Sequence, residues 1–439
     1  MADQSQDTIR AHWRCFAACG IIHPSFVLII TFDQIYGYRD PEVAIGWNID
    51  TTRQQLISSL MTMGAFISSS LAGFVAAKLG RKMCLWMACI LCAVSNIIMM
   101  TTTHIGPLYV GRLLIGLANG YFMTFSQLYI QESSPAKYRG LFLTVFHLCT
   151  TFGTLIGTII DWATAKRPDR SAYLIPLGMI YIVPTIIFVG LPFIPESPRW
   201  LVLQGRHEDG LKSLKWLRPE GADTEAELAE IRQAIDNERA LSKGVGILDM
   251  FNNPIDRRRT MISISYKAYF FAMAKVQDPF AMSNVLSMAG AIVTGKVLVA
   301  LSCFYMMAFN GMIAPYSWMV AGEIPSQRLR TYTFGLAAAA GFLGAWLITF
   351  TAPYFINPVA LNWGPRYGYI WFPSCIISAV WVYFYLPEVK GRTLEEIDAM
   401  FNEKLPARKF RGYKMQEPGV GETVGKLSVE LNVVETERV

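Results

Sequence analysis

The chain has 439 residues, of which 53% are hydrophobic and only 16% charged, against roughly 25% charged in an average soluble domain. A soluble fold of this length could not hide so much apolar surface. The net charge of +6 falls as Lys and Arg just outside apolar runs rather than on one amphipathic face, which reads as membrane orientation and excludes a nucleic-acid partner.

In chain order, the first half supplies six apolar runs near the 20 residues a membrane helix needs: about Cys15 to Phe32, Leu56 to Ala77, Met83 to Thr101, Leu108 to Ile130, Leu141 to Trp162 and Tyr173 to Phe193. The first follows Arg10 and Arg14 as a signal peptide would, yet it carries His23 and Pro24, ends at Asp33 and lacks a small-residue cleavage site, so it reads as a span. Lys78, Arg81 and Lys82 sit between spans two and three, and Lys137 and Arg139 between four and five. The turn between three and four has no Lys or Arg. Basic turns face the cytoplasm, and so, by the count of spans, do both termini; Lys166 to Arg170 is a basic exception on the outer side. All eight cysteines lie within apolar runs at no metal-ligand or disulfide spacing and read as small hydrophobes, so no metal and no cofactor is expected.

These runs divide the chain into a six-helix bundle over 1–194, a cytoplasmic stretch over 195–260, a second bundle over 261–392 and a cytoplasmic tail over 393–439. In the cytoplasmic stretch Thr224 and Glu227 have capping-box spacing, followed by Leu228, Ile231 and Ile235 on one helical face. Thr393 and Glu396 open a second such helix, with Leu394, Ile397 and Phe401 on one face; beyond about Lys409 the pattern stops. The second half is short: 117 residues separate Cys15 from Glu132, but only 62 separate Met261 from Glu323. Met261 to Ala274 is brief and contains Lys267, Phe280 to Gly295 is marginal, and Val297 to Val320, Thr331 to Phe355 and Tyr367 to Leu386 are good spans. The second bundle thus shows four to five spans and lacks about two.

One phrase occurs twice. Glu132-Ser-Ser-Pro135 leads to Arg139-Gly140, and Glu323-Ile-Pro325 leads to Arg328 and Arg330, each after an apolar run. Each half then closes on a related phrase, Pro195-Glu196-Ser-Pro-Arg199-Trp200 and Pro387-Glu388-Val-Lys-Gly-Arg392. Internal repeats of spans are how many secondary transporters are built, with substrate held between the halves.

Together with Gly80-Arg81-Lys82, Gly111-Arg112-x-x-x-Gly116 and Pro315-x-x-Trp318, these phrases resemble the sugar porter family of the major facilitator superfamily, most of all its fungal hexose and maltose-permease members. The resemblance implies an all-helical membrane protein of two bundles that moves a sugar or related polyol by alternating access, sometimes with a proton. It implies substrate contacts at His147, where the family carries a sugar-binding glutamine, and at Trp318, the family's sugar-stacking tryptophan. A lone intramembrane His also suits helix packing, and Trp318 also suits an interfacial belt. Asp33 and Arg112 stand where proton-coupled members pair an acid with an arginine, although Asp33 also suits a solvated span end. Arg81, Glu132, Arg139, Glu196, Arg199, Glu323, Arg328 and Glu388 correspond to the family's cytoplasmic gate network. Ala77 stands where the family has Asp, which removes one gate contact, and the paired glutamines of span seven are absent. No enzyme signature is present. Two other readings stay open: an exporter of a fungal secondary metabolite on the same fold, and a non-transporting sensor or degenerate paralogue, which the short second half suits.

Overall fold

The computed structural model describes residues 51–135, 138–164, 170–241, 249–275, 314–326, 329–356, 368–389 and 400–412, with a few single positions besides. Asp33, Arg328, Thr393, Glu396, the first predicted span and the segment 276–313 lie outside the described residues.

The architecture is helical, as expected, with one addition: a two-residue antiparallel ribbon, β1 (Tyr38–Arg39) against β2 (Trp47–Asn48), in register Tyr38 to Asn48 and Arg39 to Trp47. The first half contributes α1 (Thr51–Leu79), α2 (Arg81–Thr101), α3 (Ile105–Ser133), α4 (Arg139–Thr164), α5 (Ser171–Ile180) and α6 (Ile182–Gly190). The break between α5 and α6 falls at Tyr181, where Pro184, lacking an N–H, cannot continue the ladder to Ile180. At 29 residues, α1 and α3 each reach about 43 Å, longer than a bilayer's hydrocarbon core of about 30 Å, so their ends extend beyond it.

Small residues let α1 and α3 approach closely. A methyl group at Gly116 would run into the Met61 carbonyl, and one at Gly120 into Ser68. On its other side α1 packs against α13 (Arg330–Ile356) of the second half: Gly73 receives the Tyr332 ring, Ser69 faces Gly335, and the hydroxyls of Thr62 and Thr349 bond at 3.2 Å. The two halves therefore meet along most of the length of α1.

The stretch between the two halves forms α7 (Pro198–Leu203), α8 (His207–Leu217), α9 (Thr224–Leu241) and the short α10 (Asp249–Asn252). Ser197 caps α7 by accepting the Trp200 N–H, with Pro198 at the first position. The predicted capping box is corrected here. Asp223, one residue before α9, takes the Ala226 N–H at 3.0 Å, while Glu227 is drawn away to a bidentate pair with Arg218 at 2.6 and 2.9 Å. A charge-assisted fork to a buried guanidinium outcompetes a cap bond to one amide. Arg218 also donates to the Ser133 carbonyl, which ties these helices to the end of α3. Ile235 is buried and Leu228 and Ile231 half-buried, the stripe the sequence predicts.

In the second half α11 (Pro254–Lys275), α12 (Ala314–Glu323), α13 and α14 (Gly368–Tyr385) are described. Ile397, Met400, Phe401 and Phe410 pack beneath them with Ile262, Val320 and Ile324; Arg259 lies over the Phe401 ring at 4.6 Å, and Arg258 donates to the Leu405 carbonyl. Outward faces are apolar, for example Ile90, Val94 and Ile97 on α2 and Ile376, Ile377 and Val380 on α14. Five helices among the described residues are long and apolar enough to cross a membrane, and lipid is the surrounding that such faces require.

Candidate functional site

Two layers of polar residues lie along the contact between the halves. The lower one starts at Gly80, whose backbone at φ +82° and ψ 175° suits glycine alone and lets α1 end and α2 begin within one residue. That turn presents the N-terminus of α2 to Glu196, whose carboxylate accepts from the N–H groups of Arg81 (3.2 Å), Lys82 (3.1 Å) and Ser197 (2.9 Å). The Arg81 side chain, 2% exposed, pairs with Glu132, 3% exposed, at 2.7 Å; Ser197 donates its hydroxyl to the second Glu132 oxygen. Arg81 also reaches across to Thr331 of the second half at 3.5 Å.

The second link between halves is Arg139 to Glu323 at 3.8 Å, which pairs the arginine of one repeated phrase with the glutamate of the other. Burial pushes the Glu196 carboxyl above its usual range despite the N–H groups around it and the Arg81 charge. Burial does the same to Glu323, against the opposing charges of Arg139 and Arg330. Of the eight gate candidates, Arg81, Glu132 and Glu196 form one cluster and Arg139 with Glu323 another. Arg199 is half-buried on α7, Glu388 is exposed, and Arg328 lies outside the described residues. At Ala77 the backbone carbonyl, an orphan at the end of α1, accepts from Trp200 Nε1 and Gln204 Nε2, so α7 and the residue that ends it hold the position that lacks the acid.

The upper layer contains both predicted substrate contacts. His147 on α4 is 6% exposed and Trp318 on α12 is 2% exposed; their ring centroids lie 6.4 Å apart, tilted by 44°, across the join of the halves. The Nδ1 of His147 bonds the Leu143 carbonyl at 2.9 Å, and because a carbonyl only accepts, Nδ1 carries a proton; in the neutral form of the ring Nε2 is then an acceptor. Trp318 packs on Phe334 at 5.7 Å and in a cluster with Ala321, Ala337 and Ala338, joined by Met123 of the first half. Arg112 is buried on α3. Its expected pairing with Asp33 falls outside the described residues. A cleft of about 680 Å³ lined by Leu79, Phe193, Trp200 and Lys212 lies beside α7 and α8, away from this layer.

Sequence reasoning missed several polar partners: Ser197, Arg218 and Thr331, and the buried glutamines Gln127 and Gln131 on α3. Gln131 donates to the Trp318 carbonyl at 3.2 Å, and its side chain fills the space that a side chain at Gly322 would need. The available signal was two primary amides one helical turn apart in an otherwise apolar run.

Two helical halves joined at one end by the Arg139 to Glu323 ion pair and the Arg81 to Thr331 bond, with facing aromatic and polar side chains above, define a secondary transporter of the major facilitator fold. The chain belongs to the family described as Sugar (and other) transporter, which it matches over residues 23–272 and again over 257–401, two stretches that overlap where the second half runs short. It is similar to the alpha-glucosides permease MPH2 of Saccharomyces cerevisiae, 27% identical with 92% of this chain and 77% of the relative covered. It is also similar to the maltose permease MAL31 of the same yeast, 26% identical over 89% of this chain and 74% of the relative. Among solved structures it resembles the proton:xylose symporter XylE of E. coli, with a TM-score of 0.62 over 89% of this chain and 96% of that one; at 17% identity the likeness speaks for the fold.

Proposed function

We propose that this chain carries a hexose, a disaccharide or a related polyol across the plasma membrane by alternating access, with both termini in the cytoplasm. The observation that supports it best is the meeting of His147 and Trp318 across the two halves. An indole face suits the C–H side of a sugar ring, and a neutral imidazole acceptor suits a hydroxyl. The relatives are named as alpha-glucoside and maltose permeases, which favours the same class of cargo.

In this reading the Arg81, Glu132 and Glu196 cluster and the Arg139 to Glu323 pair latch the cytoplasmic side shut. Rocking of the halves breaks the Arg139 to Glu323 pair and the Arg81 to Thr331 bond, exposes the buried cluster and opens a path from the upper layer. Asp33 and Arg112 serve proton coupling: protonating the acid removes a charge and releases the arginine.

Counterflow of labelled glucose and maltose in vesicles, with Trp318→Ala and His147→Ala beside wild type, is the test. Uptake should fall at least tenfold in each alanine variant, with His147→Gln retaining or improving it, while the protein reaches the membrane. Wild-type uptake in both alanine variants overturns the assignment of this pocket. A second reading, a non-transporting sensor, draws on the short second half and on a relative named as a high glucose sensor, 24% identical. It expects sugar binding without counterflow.

A further inference from the structure

The equivalence of the two repeated phrases can be read residue by residue. Glu132 and Arg139 are seven apart, and so are Glu323 and Arg330; the Arg139 to Glu323 contact holds the two phrases at one level. Counting back five residues from each glutamate reaches Gln127 on α3 and Trp318 on α12. Halves related by an axis along the membrane normal place equivalent residues at equal depth. Gln127 is therefore the first half's counterpart of the tryptophan.

Its surroundings agree. On α3 the stripe Met123, Gln127, Gln131 advances one turn at a time. Met123 packs on the Trp318 cluster, and Gln131 bonds the Trp318 carbonyl, so both neighbours of Gln127 on that stripe touch the segment bearing Trp318. Long helical side chains lean toward the preceding turn, which here is the Met123 side. Gln127 is 0% exposed, and neither its amide nitrogen nor its amide oxygen has a hydrogen-bond partner. A buried primary amide left wholly unbonded is costly to keep, and a ligand that supplies a donor and an acceptor removes that cost.

We infer that Gln127 is a specificity-determining residue of the transport site, its amide bonding hydroxyls of the polyhydroxylated substrate opposite Trp318. This rests on the sugar reading above. Adjacent sugar hydroxyls offer the matched donor and acceptor that an amide accepts in one plane. An apolar cargo or one with acceptors alone would leave half of the amide unbonded.

The test uses the full chain in detergent, with binding of D-glucose, maltose and their single-deoxy analogues measured for wild type and Q127M, which keeps length and loses both polar atoms. Affinity for the sugar that wild type binds best should fall about tenfold in Q127M. One deoxy analogue should bind wild type and Q127M equally, marking the hydroxyl that Gln127 meets. Thermal stability without sugar should hold or rise, because the variant removes an unbonded amide. Unchanged affinity and an unchanged deoxy pattern overturn the role of Gln127 and leave the sugar reading standing. Loss of stability with unchanged affinity does the same and assigns the amide a structural part, such as holding a buried water. Absence of binding of every sugar by wild type overturns both. Should Q127M fail to fold, Q127A and Q127N carry the same comparison.

Discussion

Replacing Glu132 with Gln tests the latch at its most buried point. The substitution preserves shape and can keep the acceptor that Ser197 uses, but it leaves the Arg81 guanidinium, 2% exposed, without its counter-charge. Removing one partner of a buried pair costs about 3–5 kcal/mol, and Arg81 retains bonds to the Ala76 carbonyl and to Thr331, which argues for the lower end. The penalty applies only while the halves are closed around Arg81, since opening returns the charge to water. The closed-to-open equilibrium should then shift by about a hundredfold toward the cytoplasm-open state, at 1.4 kcal/mol per factor of ten. Spin labels at exposed Lys78 on α1 and exposed Tyr385 at the end of α14 report the separation of the halves by pulsed resonance distances, in a background without native cysteines. Wild type should give mainly the short distance and Glu132→Gln mainly the long one. Exchanging both Arg81 and Glu132 for Gln should restore much of the short one, because no lone charge remains. An unchanged distribution in Glu132→Gln would refute the latch.

The same label pair gives a pH test. Burial raises the Glu196 and Glu323 carboxyls in the closed arrangement. A raised carboxyl favours the closed state fully below the ordinary carboxylate pKa, and that advantage is lost as pH rises through the raised value. The short-distance fraction should therefore fall as pH rises above the ordinary carboxylate range, and Glu196→Gln with Glu323→Gln should flatten the profile. Gly80→Ala places a methyl 2.7 Å from Glu196 Oε2 at a backbone angle that L residues rarely adopt, at a cost of about 1–3 kcal/mol in thermal unfolding. Gly106→Ala, in open space within α3, should be neutral or stabilising. A cysteine beside Glu227 in a protein otherwise free of thiols should escape an impermeant reagent added outside intact cells; labelling there would invert the orientation. Replacing Met261 to Lys296 with the corresponding, longer segment of a maltose permease should raise counterflow and folding yield, and robust uptake by the unaltered chain would show that the short second half suffices.

What the sequence made legible follows from period and charge. Apolar runs of membrane length gave α1 to α4, α13 and α14 to within a few residues, because in lipid a helix is the only local solution for backbone polar groups. The repeated phrases located Glu132, Arg139, Glu196 and Glu323 at helix ends, the Gly80-Arg81-Lys82 turn located Arg81, and the fold brings the five into two clusters. Which of them touch was not legible, because partner choice depends on the join of the halves: Arg139 meets the glutamate of the other phrase, not of its own. The capping box at Thr224 failed for a related reason. A local rule was overridden by Arg218, a residue committed to both Glu227 and the end of α3.

Gln127 shows the same limit from the opposite side. In the sequence it is one of two amides in a run that reads as lipid-compatible, and an amide costs a span too little to draw attention. Its meaning comes from the repeat and the fold together: the phrase sets its level opposite Trp318, and packing by Met123 and Gln131 sets its face. The two halves then contribute unlike groups from equivalent positions, an amide from one and an indole from the other. Duplicated halves begin with the same residue at both positions, and a ring-shaped, hydroxyl-bearing cargo has two kinds of surface to satisfy. An asymmetric pair at symmetric positions is what such a cargo requires. Exchanging the two, Gln127→Trp with Trp318→Gln, should therefore disrupt binding, because the other contacts at that level, His147 from α4 and Phe334 from α13, do not exchange with them. Retained affinity in the exchanged protein would show that depth alone, and not the pairing with these fixed neighbours, sets the site.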